Sequence, residues 1–177
     1  MLATPCTSFS VARDRTRPIR PSTRPWGLPH QNDADRARLR TGNACARATI
    51  QIMRWALEHK VKLILENPAT SRLFLLPQSK EIMRHPAASY GIAHFCQYGT
   101  KWKTPTGFLM LFASENDRSS LYRRCNSSQG ICSRTLAKHW VLSGLGPSGK
   151  PWTLIAQPYP SQLCSTLARI LTARIHS

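Results

Sequence analysis

The spacing of apolar residues predicts the first helix and the first buried strand of the chain. After Gly42, apolar residues recur at intervals of four, three and four positions: Ala46, Ile50, Met53 and Leu57. This spacing lines one face of a helix, which we expect to end near residues 59–60. Residues 61–65 form an almost continuously apolar run, typical of a strand covered on both faces in a parallel sheet. Glu66 follows at its carboxyl end, the edge where open α/β sheets bind ligands.

The second part of the chain continues the same pattern. Segments 92–96 and 107–113 are strand-like, and a turn at residues 98–99 joins them. A terminal helix is predicted after Pro160, a first-turn proline, and its apolar stripe consists of Leu163, Leu167, Ile170 and Leu171. Helix, strand, helix, strand pair and helix together indicate an α/β fold, specifically part of a doubly wound, Rossmann-like sheet.

Two polar regions interrupt this pattern. Residues 13–40 are rich in arginine, proline and polar side chains, and we expect a long, basic, mobile loop. Residues 114–150 show no clear period and contain glycine and serine clusters. We interpret Gly42-Asn43 as a helix cap. With 177 residues, the chain has room for a single domain.

The charge of the chain indicates a polyanionic partner. Its 25 Lys and Arg residues outnumber 8 Asp and Glu residues, and the net charge of +17 favours nucleic acid. The sequence has no apolar run long enough to cross a bilayer and no secretory leader, so we expect a soluble intracellular protein, nuclear if the source is eukaryotic. Without a secretory leader, the six cysteines are expected to be thiols or metal ligands.

Two short motifs contain residues that could act on a substrate. Cys6 follows the apolar residues 1–3, which could be the tail of a strand, and positive charge from Arg13 or Arg15 could activate its thiol. The alternative is a buried, inert thiol. Glu66 begins the sequence Glu-Asn-Pro after the apolar run 61–65, which could raise the pKa of its carboxyl group. The alternative is a helix-capping or solvent-facing carboxylate.

Both motifs resemble those of the DNA cytosine-5 methyltransferase family. The sequence Pro-Cys-Thr-Ser-Phe-Ser at residues 5–10 is similar to the family's nucleophile motif, and Glu66-Asn67-Pro68 is similar to its Glu-Asn-Val/Pro motif. The resemblance implies that Cys6 attacks C6 of a flipped-out cytosine while Glu66 holds the N3 and amino edge of the base. It also implies methyl transfer from S-adenosylmethionine to DNA.

A third segment, residues 97–106, resembles the family's Tyr-Gly turn and the basic strand after it. Here Trp102, Thr104 and Thr106 replace the family's Gln-x-Arg-x-Arg pattern. The chain is more similar to divergent methylase-like proteins of phages and mobile elements, which carry a Cys/His stretch after these motifs. The DNA-binding residues implied by the resemblance, with Lys101 or Lys103 in place of the missing arginine, are Arg13, Arg15, Arg36, Lys101 and Lys103.

The part of the family that binds the cofactor is not recognisable in the sequence. The family needs a glycine-rich turn and a ribose-binding acid before the nucleophile, whereas five residues precede Cys6. We therefore expect a single incomplete methyltransferase-like domain, inactive or dependent on an amino-terminal half or second subunit. The alternative function is that of a non-catalytic basic nucleic-acid-binding protein derived from a mobile element.

A possible zinc site lies in the region 114–150. Cys125, Cys132 and His139 are separated by two gaps of six residues, and Cys96 or His94 could supply a fourth ligand. The alternative is a set of free thiols on a basic loop. A small zinc-stabilised interaction module is therefore a third possible function. Tryptophans among the basic residues could stack on bases or pack in the protein: Trp26, Trp102 and Trp140.

Overall fold

The computed structural model describes residues 1–11, 18–127, 129–146 and 148–173. The strands in this part of the chain are β1 (Leu2–Ala3), β2 (Leu63–Pro68), β3 (Ala88–His94) and β4 (Pro105–Leu111). The helices are α1 (Asp33–Glu58), α2 (Pro77–Met83), α3 (Glu115–Leu121), α4 (Trp152–Ile155) and α5 (Ser161–Thr172). Two 3₁₀ turns follow β2 and β3, at Arg72–Leu75 and Phe95–Tyr98.

The four strands form one mixed sheet in the order β1-β2-β4-β3. β1 is parallel to β2, with Leu2 opposite Leu65 and Ala3 opposite Glu66. β4 is antiparallel to both of its neighbours, β2 and β3. The predicted α/β class is therefore confirmed. The expectation of parallel neighbours for the strand after residue 60 holds on the β1 side and is wrong on the β4 side.

Helices cover both faces of the sheet, which explains the continuous apolar run in β2. Leu63 and Leu65 belong to a core cluster that includes residues of α1 and α2. Ile64 lies on the opposite face and packs in a second cluster with residues of α3 and α5. Since successive strand residues face opposite sides, burial of both faces requires apolar side chains at every position.

The first helix begins earlier than its apolar spacing indicated. α1 starts at Asp33, and the Asn32 side chain caps it by accepting a hydrogen bond from Asp35 N at 2.8 Å. Residues 33–40 are therefore helical rather than part of the expected loop, and Gly42-Asn43 lies inside the helix rather than at its cap. Only Asp35 and Leu39 are buried in its first two turns, which leaves too few apolar positions for a visible period. Before the helix, Ile19 and Arg20 are buried.

The polar region after residue 113 contains a helix that the sequence pattern did not predict. α3 begins with a reciprocal capping box between Ser114 and Asp117. Asp117 is buried and also pairs with Lys62 Nζ at 3.1 Å. Leu121 is the buried apolar residue of this short helix, so no hydrophobic stripe marks it in the sequence.

The other predicted elements are found with shifted boundaries. β3 begins four residues before the predicted 92–96 strand, and the predicted terminal helix is α5, with Pro160 at its N-cap. α1 ends one residue before His59, as predicted. Within the described ranges, no helix combines the length and apolar character that crossing a bilayer requires.

Candidate functional site

The loop that carries Cys6 is a tight turn fixed by its own main chain. Phe9 N and Ser10 N donate hydrogen bonds to the Cys6 carbonyl oxygen at 2.9 and 2.8 Å. Phe9 is fully buried, and its carbonyl oxygen accepts a hydrogen bond from Arg72 N at 3.0 Å. The Cys6 side chain is half-buried, three residues beyond the end of β1. The loop therefore holds the backbone of Cys6 in a fixed position beyond the carboxyl end of β1.

Asn67 joins this loop to the strand that carries Glu66. Its Nδ2 donates to the Thr4 carbonyl oxygen at 2.7 Å, and Asn67 is almost completely buried. The hydroxyl of Thr4 is bonded to that of Thr49 on α1 at 2.6 Å. Because β1 and β2 are parallel, these contacts bring the residues that follow both strands to the same edge.

Cys6 and Glu66, which were predicted as a pair, lie close enough to each other and to Tyr159 to affect one another's pKa values. Burial raises the pKa of Glu66, although the Tyr159 hydroxyl donates to Glu66 Oε2 at 2.7 Å and opposes this rise. Burial also raises the pKa of Cys6, and the negative charge of Glu66 adds to that rise. Both groups therefore favour their protonated forms more than in water. Tyr159 was not singled out in the sequence, where its one signal is its place before Pro160 at the start of α5.

Arg20 brings a buried positive charge to the Cys6 loop. Its Nη2 donates to Ser8 Oγ at 3.1 Å, and its guanidinium lies 4.0 Å from the centroid of the Phe9 ring. Burial lowers the pKa of Arg20 to about 10, so its side chain is protonated at neutral pH. Arg13 and Arg15, the predicted activators, lie outside the described residues. No periodic pattern in the sequence marks Arg20, because irregular backbone brings it to the loop.

Gly42 allows α1 to approach the Cys6 loop. A Cβ atom at this position would lie 2.1 Å from Ser8 Oγ and 2.9 Å from Arg20 Nη2. We expect Gly42→Ala to lower the free energy of unfolding by about 1–2 kcal/mol, because this clash outweighs a gain in helix propensity of about 1 kcal/mol. Urea unfolding measures the change.

A double-mutant cycle provides the control for Gly42. Adding Ser8→Ala to Gly42→Ala removes the closest atom, so the double variant should be more stable than the sum of the two single changes indicates. A Gly42→Ala variant as stable as the parent protein would contradict the close approach of α1 to the loop.

A second cluster lies around the 3₁₀ turn after β3, which contains Cys96. Its possible ligand atoms all lie within 4.8 Å of one another and belong to Cys96, Cys125, Cys132 and His139. Cys125 Sγ is 4.0 Å from Cys132 Sγ and 3.7 Å from His139 Nε2. Three buried cysteines and one partly buried histidine could hold a metal ion such as zinc. This confirms that the three predicted ligands come together.

Of the two candidates for a fourth ligand, the structure favours Cys96. His94 Nδ1 instead accepts a hydrogen bond from Cys125 N at 2.8 Å, and burial lowers the pKa of this imidazole. His94 therefore positions the backbone of Cys125, a residue of the cluster.

The sulfur atoms of the cluster have different proton affinities. Burial opposes ionisation of Cys125, but hydrogen bonds from the Ser133 backbone and side chain outweigh it and lower the pKa to about 6. Burial, followed by smaller effects of neighbouring groups, raises the pKa of Cys96 to about 12. Thiolates this close together repel one another unless a cation lies between them.

Three of the predicted DNA-binding residues, Arg36, Lys101 and Lys103, belong to the described part of the chain. Arg36 is an exposed residue of α1 and pairs with Asp33. Lys101 Nζ lies 4.4 Å from the centroid of the Trp140 ring, and Lys103 Nζ donates to Ser127 Oγ at 2.9 Å. Trp140 also meets Trp152 edge to face, whereas Trp26 lies under Arg47 and packs against the core around α1.

A basic cavity of about 410 Å³ adjoins the Cys/His cluster. Its lining includes three cations, Lys101, Arg134 and Lys138, together with Cys132 and His139. None of its described lining residues is acidic. Such a cavity attracts anions.

No protein-family model, curated protein or solved structure matches the chain. Function is therefore inferred from the two side-chain clusters, at Cys6 and at Cys125.

Proposed function

We propose that the chain is the base-binding and nucleophilic part of a DNA cytosine-5 methyltransferase-like protein. The observation that carries this proposal is the pairing of Cys6 with Glu66. These residues are 60 positions apart in the sequence, yet Cys6 follows β1 and Glu66 lies in β2, the adjacent parallel strand. Burial raises the pKa of the Cys6 thiol, and the charge of Glu66 adds to that rise. A nucleophile beside an acid is the combination that attack on a pyrimidine ring requires.

The proposed chemistry assigns one role to each side chain. After Cys6 loses its proton to solvent, its sulfur forms a bond to C6 of the base. The C5=C6 π electrons then shift to the C4–C5 bond, and the C4=N3 π electrons move onto N3. A proton on Glu66 directed at N3 stabilises the charge that develops there. Burial raises the pKa of Glu66 and so favours the form that carries this proton. Tyr159, which donates to Glu66 Oε2 at 2.7 Å, holds the carboxyl group in place.

We assign no site for S-adenosylmethionine to the described residues. A cavity of about 330 Å³ lies beside the Cys6 loop, lined by residues such as Pro5, Thr7 and Gly42. Its described lining includes Arg38 but no carboxylate that could bind ribose hydroxyls. We therefore assign this chain the addition to the base, and we derive no methyl-transfer step from its residues.

The fold also supports the proposal. β1 and β2 provide the parallel pair whose carboxyl ends carry the site, and the β3–β4 pair extends the sheet beyond it. As part of the proposal, this mixed sheet is the second half of a doubly wound, Rossmann-like sheet. The partner is DNA, held by the basic surface that a net charge of +17 provides.

Incubation with an oligonucleotide that contains 5-azacytosine tests the proposal without a methyl donor. Addition of a thiolate to C6 of this base is completed when N5 takes a proton, so a covalent adduct can form. We expect an adduct at Cys6, detected by mass spectrometry, that is absent from Cys6→Ser. The matched control is Cys164→Ser, which removes an exposed thiol whose Sγ lies 4.0 Å from the Tyr159 carbonyl oxygen and should retain the adduct.

Two outcomes would count against the proposal. An adduct at Cys164, or none in folded protein that binds the oligonucleotide, would exclude Cys6 as the nucleophile. The second outcome would favour the alternative of a non-catalytic nucleic-acid-binding protein, which the cations of the basic cavity support.

A further inference from the structure

The segment that follows α3, residues 123–140, has almost no hydrophobic core of its own. Among the described residues from 123 to 140, the buried ones are Cys125 and Cys132. The larger apolar side chains point to solvent: Leu136 is 80% exposed and Ile131 is 43% exposed. Burial of apolar area cannot order a segment of this kind, and small units of this composition usually depend on disulfides or metal ions.

Donor groups surround the sulfur atoms in this segment. Ser133 donates to Cys125 Sγ from its backbone N at 3.3 Å and from its hydroxyl at 3.5 Å. Gln97 Nε2 lies 3.6 Å from Cys96 Sγ and 3.8 Å from Cys132 Sγ. Donors around sulfur stabilise thiolates and orient metal ligands, so these contacts are those expected around a metal centre.

We propose that Cys96, Cys125, Cys132 and His139 bind one Zn²⁺ ion in a closed structural site. Tetrahedral zinc, with bonds of about 2.3 Å to sulfur and 2.0–2.1 Å to nitrogen, separates its ligand atoms by roughly 3.5–3.8 Å. The distances of 4.0 Å between Cys125 Sγ and Cys132 Sγ, and of 3.7 Å from Cys125 Sγ to His139 Nε2, are close to these values. Thiolate ligands select zinc over magnesium or calcium.

The positions of the four ligands in the chain indicate which parts of the fold the ion would connect. Cys96 lies in the 3₁₀ turn after β3, Cys125 lies beyond α3, and Cys132 and His139 belong to the loop that follows. One ion would therefore attach this loop to the sheet. Because four protein side chains occupy the site, no position remains for water or substrate, and the ion is structural rather than catalytic.

The same ion would fix one wall of the basic cavity. Cys132 and His139 line this cavity with Lys101 and Lys138. Arg134 also lines it, and Arg134 Nε donates to the Cys96 carbonyl oxygen at 2.8 Å. Zinc binding therefore sets the positions of the cations that face an anionic partner.

Metal analysis of the purified 177-residue chain tests the proposal. We expect close to one zinc per chain. Replacement by Co²⁺ should give the absorption bands of tetrahedral thiolate coordination. Cys132→Ser should lose most of the bound metal, whereas Cys164→Ser, which changes an exposed cysteine outside the cluster, should retain it. Cys6→Ser should also retain zinc, so this test is independent of the proposed chemistry at Cys6.

A second measurement applies if the Cys132→Ser variant fails to fold. In the unsubstituted chain, removal of zinc by a chelator should increase hydrogen exchange within residues 125–140, while β2 and β4 stay protected, and added Zn²⁺ should reverse the change. Protein that lacks zinc as purified and fails to bind added Zn²⁺ or Co²⁺ overturns the proposal. A Cys125–Cys132 disulfide in the native chain overturns it as well.

Discussion

Replacing Glu66 by glutamine is expected to stabilise the fold at neutral pH while slowing adduct formation at Cys6 by about two orders of magnitude or more. The two effects share one cause. Burial raises the pKa of Glu66, which means that the folded protein holds the ionised carboxylate at a cost. Glutamine removes that charge without changing the size of the side chain, but it cannot give a proton to N3 of a base.

The stability effect has a defined dependence on pH. A carboxyl group with a raised pKa in the folded state destabilises the fold at high pH, and this effect disappears as pH falls through the folded pKa toward the ordinary value of 4.5. Glu66→Gln should therefore exceed the parent protein in Tm most clearly above neutral pH. The difference should vanish near pH 4. Thermal unfolding across this range, together with the rate of the adduct assay, measures both effects.

Tyr159→Phe is the matched variant for this prediction. It removes the hydroxyl that donates to Glu66 Oε2 at 2.7 Å and leaves the ring in its edge-to-face contact with Phe95. Loss of that donor should raise the pKa of Glu66 further and lower the stability of the protein at alkaline pH. A Glu66→Gln variant that is less stable than the parent at every pH would show that the carboxylate has a structural role instead.

The sequence predicted those elements whose side chains are buried in a regular pattern. The apolar run that ends at Leu65 and the stripe of α5 are covered by the sheet or by helices, so their periods are visible. The first turns of α1 and the whole of α3 depend on capping by Asn32 and Ser114 and on charged contacts. These elements bury few apolar residues, and apolar spacing could not locate them.

The candidate sites were predictable where one residue type dictates the chemistry. Cysteines and a histidine at short spacing indicated three of the four cluster residues, and the fold then supplied Cys96 rather than His94. Tyr159 reaches Glu66 across 93 positions, and Arg20 reaches Asn43 across 23. Contacts of this range depend on how irregular segments pack, which periodicity in a single sequence does not encode.

Arg20→Ala is expected to lower the free energy of unfolding by about 3 kcal/mol, a fall in Tm of about 6–12 °C for a chain of this size. Arg20 is 1% exposed. Its Nη1 donates to Asn43 Oδ1 at 2.7 Å and to the Pro25 carbonyl oxygen at 2.9 Å, and its Nη2 donates to Ser8 Oγ. Alanine leaves these acceptors without their donor and opens a cavity beside Phe9. Urea unfolding measures the loss.

Two further arginine variants separate the effect of the Arg20 hydrogen bonds on stability from the effect of its charge. Arg20→Lys keeps the charge but cannot reproduce the planar set of donors, so its stability should lie between those of the parent and Arg20→Ala. Arg47→Ala removes an exposed guanidinium 5.4 Å from the centroid of the Trp26 ring and should change stability by about 0.5–1 kcal/mol or less. If Arg20→Ala costs no more than Arg47→Ala, the desolvation that lowers the pKa of Arg20 offsets its hydrogen bonds.

The same variants test whether Arg20 positions the nucleophile. Ser8, one of its acceptors, is two residues from Cys6, and the turn between them depends on hydrogen bonds to the Cys6 carbonyl oxygen. At a temperature where every variant is folded, Arg20→Ala should slow the adduct reaction, and Arg20→Lys should restore part of the rate. An unchanged rate in folded Arg20→Ala would mean that the main-chain turn alone positions Cys6, with Arg20 contributing only to stability.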